Sequence, residues 1–303
     1  MADVGPAPRE PQRLSRGISV FKRTFSRFLT DDCMGLAQEV AYSALLAFFP
    51  AVAFLLGLLG VLHLFDQVQS FVGTVAPHGV IHFIEGLQRD SQGGAEVPAL
   101  VLGGVGAVWA ASGAMGAVIK AVNRAYEQIE TRPFWKVRAI AILLVLLFGV
   151  TIVALAVLVV FGGPLGTAIA DKANLGAGFT WLWAILRWPI AFVAVLLLFA
   201  FVYYFAPNTD RRTWKWVTPG SIFAALLWLA LSGLFTLYVT FAGSYSKTYG
   251  SLAAGVILLL WLNYTAWALL FGAELNSELD RQADVHAAGG ERAGLTKPAR
   301  RKQ

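Results

Sequence analysis

Polar side chains inside long apolar stretches are the first candidates for chemistry in this sequence. A polar group in a membrane is energetically costly, so it usually has a function. Glu39 follows Gln38 near the start of the first apolar stretch. Its carboxylate could bind a proton or a cation inside a helix bundle. The alternative is a carboxylate about two turns from the start of a helix, stabilised by the helix N-terminus. Glu39 and Gln38 are therefore candidate cavity residues.

Two further polar residues interrupt apolar stretches. Arg187 precedes Trp188, and its position depends on where the surrounding helix begins. A start near Phe179 would bury the guanidinium, which could then bind an anionic group or a carboxylate. A start near Trp188 would let the side chain extend to the outer lipid headgroups. Asn263 lies in the middle of the last apolar stretch, where it could line a cavity or hydrogen-bond another helix.

One segment has the spacing of a metal site. His78, His82 and Glu85 are spaced 4 and 3 residues apart, which would place two imidazoles and a carboxylate on one face of a helix. Three surface residues of this kind usually form only a polar face, so we expect no metal and no cofactor. The single cysteine, Cys33, excludes a disulfide within the chain and a cysteine-based metal cluster.

The elements that would position these residues are membrane helices. The chain has 303 residues, of which 57% are hydrophobic and 14% charged, whereas a soluble domain has about 25% charged residues. Six uncharged stretches are each long enough for the ~20 residues of a spanning helix. They comprise residues 40–62, 97–119, 139–161, 188–209, 216–246 and 248–273. We predict an all-α, polytopic membrane helix bundle with six transmembrane helices in a domain of residues 31–280.

Amphipathic helices are predicted outside the six spans. In residues 1–30, a basic tail, Ile18, Phe21, Phe25 and Phe28 recur at spacings of 3, 4 and 3. This pattern indicates a helix lying on anionic lipid, and the alternative is a solvated helix packed on the protein's own loops. Residues 65–75 and 77–87 predict two short extracytoplasmic helices, and residues 281–303 a disordered basic tail.

The distribution of Lys and Arg predicts the orientation. The N-terminal tail carries six, the second loop five, the fourth loop three and the C-terminal tail six, whereas the first, third and fifth loops together carry three. Both termini are therefore expected in the cytoplasm, with the protein in the inner (plasma) membrane. The expected partners are the lipid bilayer, anionic lipids at the basic tails and a second copy of the chain. No nucleic acid partner is expected, because the net charge of +6 resides in tails and alternate loops.

Several motifs resemble those of the YihY/BrkB family of bacterial inner-membrane proteins. They lie at residues 41–50, 204–208, 243–252, 260–262 and 272–276, and the resemblance extends from about residue 30 to 280. The motif residues are Tyr42, Pro50, Pro207, Asn208, Tyr249, Gly250, Trp261, Gly272, Glu274 and Asn276. Glu274 and Asn276 are expected at the inner end of the sixth helix, where an ordinary solvated helix end is the alternative. The resemblance implies a six-helix inner-membrane protein, with some members linked to envelope or virulence roles and some labelled ribonuclease BN.

The residues favour transport over catalysis. A hydrolytic ribonuclease typically uses acidic residues on divalent metals or a histidine pair, whereas the acids here are scattered over tails and loops, so no enzyme is expected. The leading hypothesis is a transporter or exporter of a small solute, ion or lipid-like molecule, with Glu39, Arg187, Asn263 and Gln38 facing a central cavity. The alternative is a non-transporting envelope protein that organises lipid or recruits partners, and a ribonuclease comes third. No Gly-x-x-x-x-Gly-Lys pattern occurs, so any transport would be passive or ion-coupled.

Overall fold

All regular secondary structure in the described part of the protein is helical. This computed structural model describes residues 10–61, 96–160, 162–209, 217–241 and 252–295, and these ranges contain eight helices and no strand. The helices are α1 (Glu10–Thr30), α2 (Cys33–Val61), α3 (Glu96–Ala125), α4 (Phe134–Val160), α5 (Gly162–Ala173), α6 (Gly176–Phe205), α7 (Pro219–Phe241) and α8 (Leu252–Leu295).

Six of these helices are long and apolar enough to cross a membrane, which confirms the predicted all-α, six-span bundle. The six candidate spans are Cys33–Val52, Val101–Ala125, Phe134–Leu155, Gly178–Phe205, Pro219–Thr240 and Gly255–Ala283. Large apolar side chains cover their outer surface, as expected where lipid replaces water around a helix. Examples that are more than 60% exposed are Leu102, Val105, Trp109, Val150, Trp181 and Leu234.

The structure adds one helix to the sequence prediction and extends two others. Helix α6 begins at Gly176, which agrees with the alternative of a start near Phe179 and places Arg187 inside the helix, and α5 is a short helix that the apolar pattern did not reveal. Helix α8 continues to Leu295, so residues 281–295 are helical rather than part of a disordered tail. Four of those residues are alanines and two are arginines, which favour a helix. Helix α1 likewise begins at Glu10, before the predicted amphipathic stretch.

Some sequence predictions fall outside the described residues. These are the two extracytoplasmic helices, the candidate metal residues His78, His82 and Glu85, and the motif residues Tyr249 and Gly250.

Small residues allow the helices to approach closely. Eight alanines in the core have no exposed surface: Ala37, Ala121, Ala125, Ala206, Ala224, Ala225, Ala268 and Ala273. The closest approach joins α7 to α8, where a Cβ on Gly272 would lie 2.6 Å from the Gly220 carbonyl oxygen and 2.7 Å from the Ala224 Cβ. A side chain larger than hydrogen therefore does not fit at Gly272.

Helix α1 has two different faces. One packs on the bundle through Val20, Thr24 and Phe28, and the Phe28 ring lies 5.6 Å from that of Phe271 on α8. The other leaves Ile18, Phe21, Phe25 and Leu29 about half exposed. The predicted apolar stripe is thus divided, because Phe28 and Phe21 both contact Phe271, with the Phe21 ring 5.5 Å from it, while Ile18 and Phe25 stay outside.

Candidate functional site

Most described ion pairs and inter-helix side-chain hydrogen bonds lie at one end of the bundle, where α2, α4 and α7 begin and α3 and α6 end. We call this region the polar end. It comprises residues 23–33, 120–132, 205–209, 217–221 and 274–281. The opposite termini of these helices carry few charged residues among those described, so the polar end is the main candidate for a functional site.

Glu274 on α8 is a fully buried carboxyl group, with no exposed surface. The Cys33 thiol donates a hydrogen bond of 3.4 Å to Glu274 Oε1, and Oε2 has no protein partner in the described structure. Arg27 lies close enough to attract a charge on Glu274, and Asp31 and Glu127 close enough to repel one. Glu274 is therefore a core acid held only by a weak thiol donor. Its burial contradicts the alternative of a solvated helix end.

One turn further along α8, Glu278 anchors α1 to the bundle. Its side chain is 3% exposed, with Oε2 lying 3.4 Å from Arg27 Nε and Oε1 lying 3.6 Å from Arg23 Nη1. Arg27 also forms an ion pair with Glu127, and Glu127 forms a second ion pair, of 2.9 Å, with Arg281. This network ties α1 and α8 to the segment after α3.

Asn276 connects α8 to the start of α7. Its Oδ1 accepts a hydrogen bond of 2.9 Å from the Gly220 backbone N–H, and its Nδ2 donates one of 3.0 Å to Thr218 Oγ1. Tyr126 also hydrogen-bonds Asn276, and burial raises the pKa of its phenol. Asn276 therefore orders three separate elements at the polar end.

A second polar network joins the segment after α3 to the end of α6. Asn123 Oδ1 accepts a hydrogen bond of 2.7 Å from the Asn208 backbone N–H, and Asn123 Nδ2 donates to Glu130 at 2.8 Å. Arg132 pairs with Glu130 at 2.6 Å and also donates to the carbonyls of Phe205 and Ala206. The hydrogen bond from Arg132 holds the pKa of Glu130 below its ordinary value.

These networks border a cavity of about 560 Å³ at the polar end. Its apolar side is lined by Leu36, Ile119 and Val137. Its charged side is lined by Asp31, Asp32, Lys120, Arg124 and Glu130. Ligand cavities commonly have volumes of about 300–1,000 Å³ and combine an apolar wall with a few polar groups. This cavity suits a small molecule with charges of both signs or a polar head on an apolar body.

The cavity residues expected from the sequence are not brought together. Glu39 is exposed like Gln38 and forms an ion pair of 2.8 Å with Lys120, about 9 Å along α2 from Cys33. Arg187 lies about 27 Å along α6 from Phe205, the last residue of this helix, which belongs to the polar end. The two candidates are therefore at different depths.

Arg187 and Asn263 are both half-buried. The Arg187 guanidinium lies 5.5 Å from the centre of the Trp188 ring and beside Gly162 of α5, and its buried Nε has no protein partner in the described residues. The Oδ1 atom of Asn263 is likewise buried without a partner there. The alternative for Asn263 was a hydrogen bond to another helix. Its Oδ1 atom forms no such bond among the described residues.

The other described motif residues have mainly structural contacts. Asn208 Nδ2 donates to the Ile129 carbonyl and to Thr131 Oγ1, both at 2.8 Å. Trp261 Nε1 donates to Ser232 Oγ at 3.3 Å. Pro207 is buried, Pro50 lies inside α2 and half-buried, and Tyr42 is 60% exposed.

Sequence reasoning missed Cys33 and Glu278 as members of a site. Cys33 had been considered only for disulfides and clusters, and its partner Glu274 lies 241 residues away in the sequence. A signal for Glu278 was present, because it follows Glu274 by four residues and so shares a face of the same helix. Among the described residues, no group of three or more His, Cys, Asp or Glu side chains could hold a metal ion.

Comparisons with known proteins identify the same family that the sequence motifs resemble. The family model described as Virulence factor BrkB matches residues 24–295. A ribonuclease-like protein, YfkH, of Bacillus subtilis strain 168 is 31% identical over 266 residues, covering 88% of this chain and 96% of that protein. A UPF0761 membrane protein of Stenotrophomonas maltophilia strain R551-3 is 27% identical over 278 residues, covering 88% of this chain but only 62% of that relative. No solved structure matches the chain.

Proposed function

The chain belongs to the BrkB family of membrane proteins, and we propose that it is a non-enzymatic transporter of a small solute, ion or lipid-like molecule. The observation that carries this proposal is the polar-end cavity of about 560 Å³, which has an apolar wall and charges of both signs. Ligand pockets occur between the helices of bundles, and one at the end of a bundle can admit a substrate from one side of the membrane.

We place the polar end on the cytoplasmic side of the inner membrane. The segment after α3 and helix α1 belong to this end, and both are rich in Lys and Arg. Short loops with such an excess stay in the cytoplasm. On this arrangement the cavity admits its substrate from the cytoplasm, which fits an exporter.

The proposal is tested by tracer flux and charge movement in liposomes that contain the purified protein. The panel includes protons, sodium, other inorganic ions, zwitterionic solutes and fluorescent phospholipids. A transporter moves at least one of these faster than protein-free liposomes do. If folded protein moves none of them, the transport proposal is rejected in favour of a binding role.

A second candidate function is lipid organisation without transport. It is supported by the outer face of α1, where Ile18, Phe25 and Leu29 are exposed beside the basic residue Lys22. A helix that packs on the bundle with one face and exposes an apolar, basic face with another is suited to lie on anionic lipid.

Spin labelling tests that contact. A label at Phe25→Cys in a Cys33→Ser chain is expected to be relaxed by oxygen, which dissolves in lipid, more than by a water-soluble nickel complex. The control is Ser26→Cys, because Ser26 is an exposed polar position beside Phe25. If both labels respond only to the nickel complex, the outer face of α1 lies in water and the lipid role loses its support.

A ribonuclease is a third candidate because the relative YfkH is described as ribonuclease-like. Purified protein should then cleave RNA, and one acidic substitution at the polar end, such as Asp32→Asn, should abolish cleavage. Activity that survives that substitution and separates from the protein on further purification would assign it to a contaminant.

A further inference from the structure

Three buried polar atoms on α8 have no protein partner among the residues that the structure describes: Oδ1 of Asn263, Nε1 of Trp267 and Oε2 of Glu274. A helix turns 100° per residue, so these residues fall within about 40° of one another around its axis and extend over about 16 Å. A buried polar atom without a partner destabilises the folded protein, and such atoms normally bind water or an ion. Water molecules bound to these three atoms would form a polar path along one face of α8, past the buried Leu270 that lies between Trp267 and Glu274.

We propose that a hydrated proton path follows this face of α8 from Asn263 past Trp267 to Glu274, and that the Glu274 carboxyl exchanges the proton. Oε2 takes the proton from water in the path and returns it to water, while Oε1 keeps the hydrogen bond from the Cys33 thiol. This inference rests on the proposed transport function and names its coupling ion.

The surroundings of Glu274 suit such an exchange. Asp31 is near enough to act on its charge and also lines the polar-end cavity, so the path ends next to a space that substrate and water can reach. The other charged or titratable groups facing it come from several elements. They are Arg27 from α1, Cys33 from α2, Glu127 from the segment after α3, and Glu278 from α8 itself. Arg27 pairs with Glu278 and Glu127, and among the described residues Glu274 has no ion pair of its own.

The remaining neighbouring helices offer weaker groups. The Tyr203 hydroxyl of α6 donates its proton to the Leu269 carbonyl at 2.7 Å, so that proton is already engaged. Helix α7 approaches through Gly220 and Ala224, which carry no titratable side chain. Within the part of the chain that the structure describes, Glu274 is therefore the carboxyl at which a proton on this path would be held.

Cysteine accessibility tests the path without any knowledge of the substrate. The chain has one cysteine, so Cys33→Ser removes it while keeping a donor to Glu274. Into that chain we would introduce Asn263→Cys or, as the depth-matched control, Leu262→Cys, which points about 100° away. Ag⁺ is a thiol-reactive ion small enough to follow water, and its reaction protects the thiol from later labelling.

The path predicts that Ag⁺ modifies Asn263→Cys at least about tenfold faster than Leu262→Cys, because reaction requires a solvated thiolate. Equal and slow modification of both would overturn the path. Infrared spectra then test the exchanging group: a carboxyl band that titrates with pH should be lost in Glu274→Gln. A band that persists in this variant would remove Glu274 from that role.

These outcomes are distinguishable from failure of the proposed function. A negative flux screen together with rapid Ag⁺ modification would reject transport and keep the hydrated path. Measurable flux with an unreactive Asn263→Cys would keep transport and reject the path.

Discussion

The Gly220 N–H donates a hydrogen bond of 2.9 Å to Asn276 Oδ1, with α7 and α8 in contact on either side of it. The approach depends on two glycines, since a Cβ on Gly220 would lie 2.5 Å from Asn276 Oδ1 and one on Gly272 would lie 2.6 Å from the Gly220 carbonyl. Glu274 follows Gly272 by two residues, so its side chain is about 200° away around α8 and contacts Cys33 of α2 instead of α7. Residues 272–276 of the family motif therefore combine a close contact with α7 on one side of the helix and a buried acid on the other.

Gly272→Ala should destabilise the bundle. The added methyl group meets Tyr203 Oη, the Gly220 carbonyl and Ala224, and the last two cannot move without shifting α7. Overpacking of this kind costs about 1–3 kcal/mol. Thermal unfolding in detergent should show a lower midpoint for Gly272→Ala than for Gly233→Ala, because a Cβ on Gly233 meets no atom within 4 Å. Equal midpoints would refute the close approach.

Arg27→Gln should release α1 from the bundle. It leaves the buried Glu278 carboxylate with only the exposed Arg23 as its basic partner, at 3.6 Å. Breaking a buried ion pair costs about 3–5 kcal/mol, and the remaining partner reduces that loss. Limited proteolysis should cut within residues 10–30 faster in this variant than in Arg23→Gln.

The double variant Arg27→Gln, Glu278→Gln tests the cause. Removing the unpaired buried charge should recover part of the lost stability, which a double-mutant cycle measures as a coupling between the two sites. If the two single losses simply add, Arg27 acts on α1 through some contact other than Glu278.

The stability contribution of Glu130 should depend on pH. Arg132 lowers the pKa of this carboxyl from its ordinary value of 4.5, so the folded protein binds a proton there less readily than the unfolded chain. The contribution is therefore present above 4.5 and is lost as the pH falls through the lower, folded value. The difference in melting temperature between the parent protein and Glu130→Gln should be constant near neutral pH and shrink below 4.5. A difference that grows on acidification would contradict the Arg132 assignment.

The spans were predictable because each is a long apolar stretch, and that property does not depend on neighbouring helices. The ends were less certain: Arg187 left two alternatives for the start of α6, since an arginine fits both an interface and a buried position, and the structure agrees with the start near Phe179. The continuation of α8 beyond residue 280 was missed because a polar helix resembles a solvated tail in composition.

The site was harder to predict because its members come from distant parts of the chain. Glu39 and Glu274 both stand at the edge of an apolar stretch, yet Glu39 pairs with Lys120 on the surface and Glu274 contacts Cys33 in the core. The difference depends on which helix faces each residue, and sequence periodicity does not contain that information. Asn263 was singled out from the sequence as a costly polar group, but its alignment with Trp267 and Glu274 required knowing which side chains are buried.

The central claim is that the substrate passes through the polar-end cavity. The most direct test compares the flux in two variants that each remove one positive charge. Arg124→Gln alters the polar-end cavity at a residue whose ion pair with Asp31 is long, at 3.8 Å, so folding should be little affected. Lys136→Gln removes an exposed charge close to the cavity but outside its lining. For a substrate found in the liposome screen, transport through the cavity predicts a flux at least about tenfold lower in Arg124→Gln, equivalent to about 1.4 kcal/mol, and unchanged in Lys136→Gln. Equal flux in both variants would contradict the cavity as the substrate pathway.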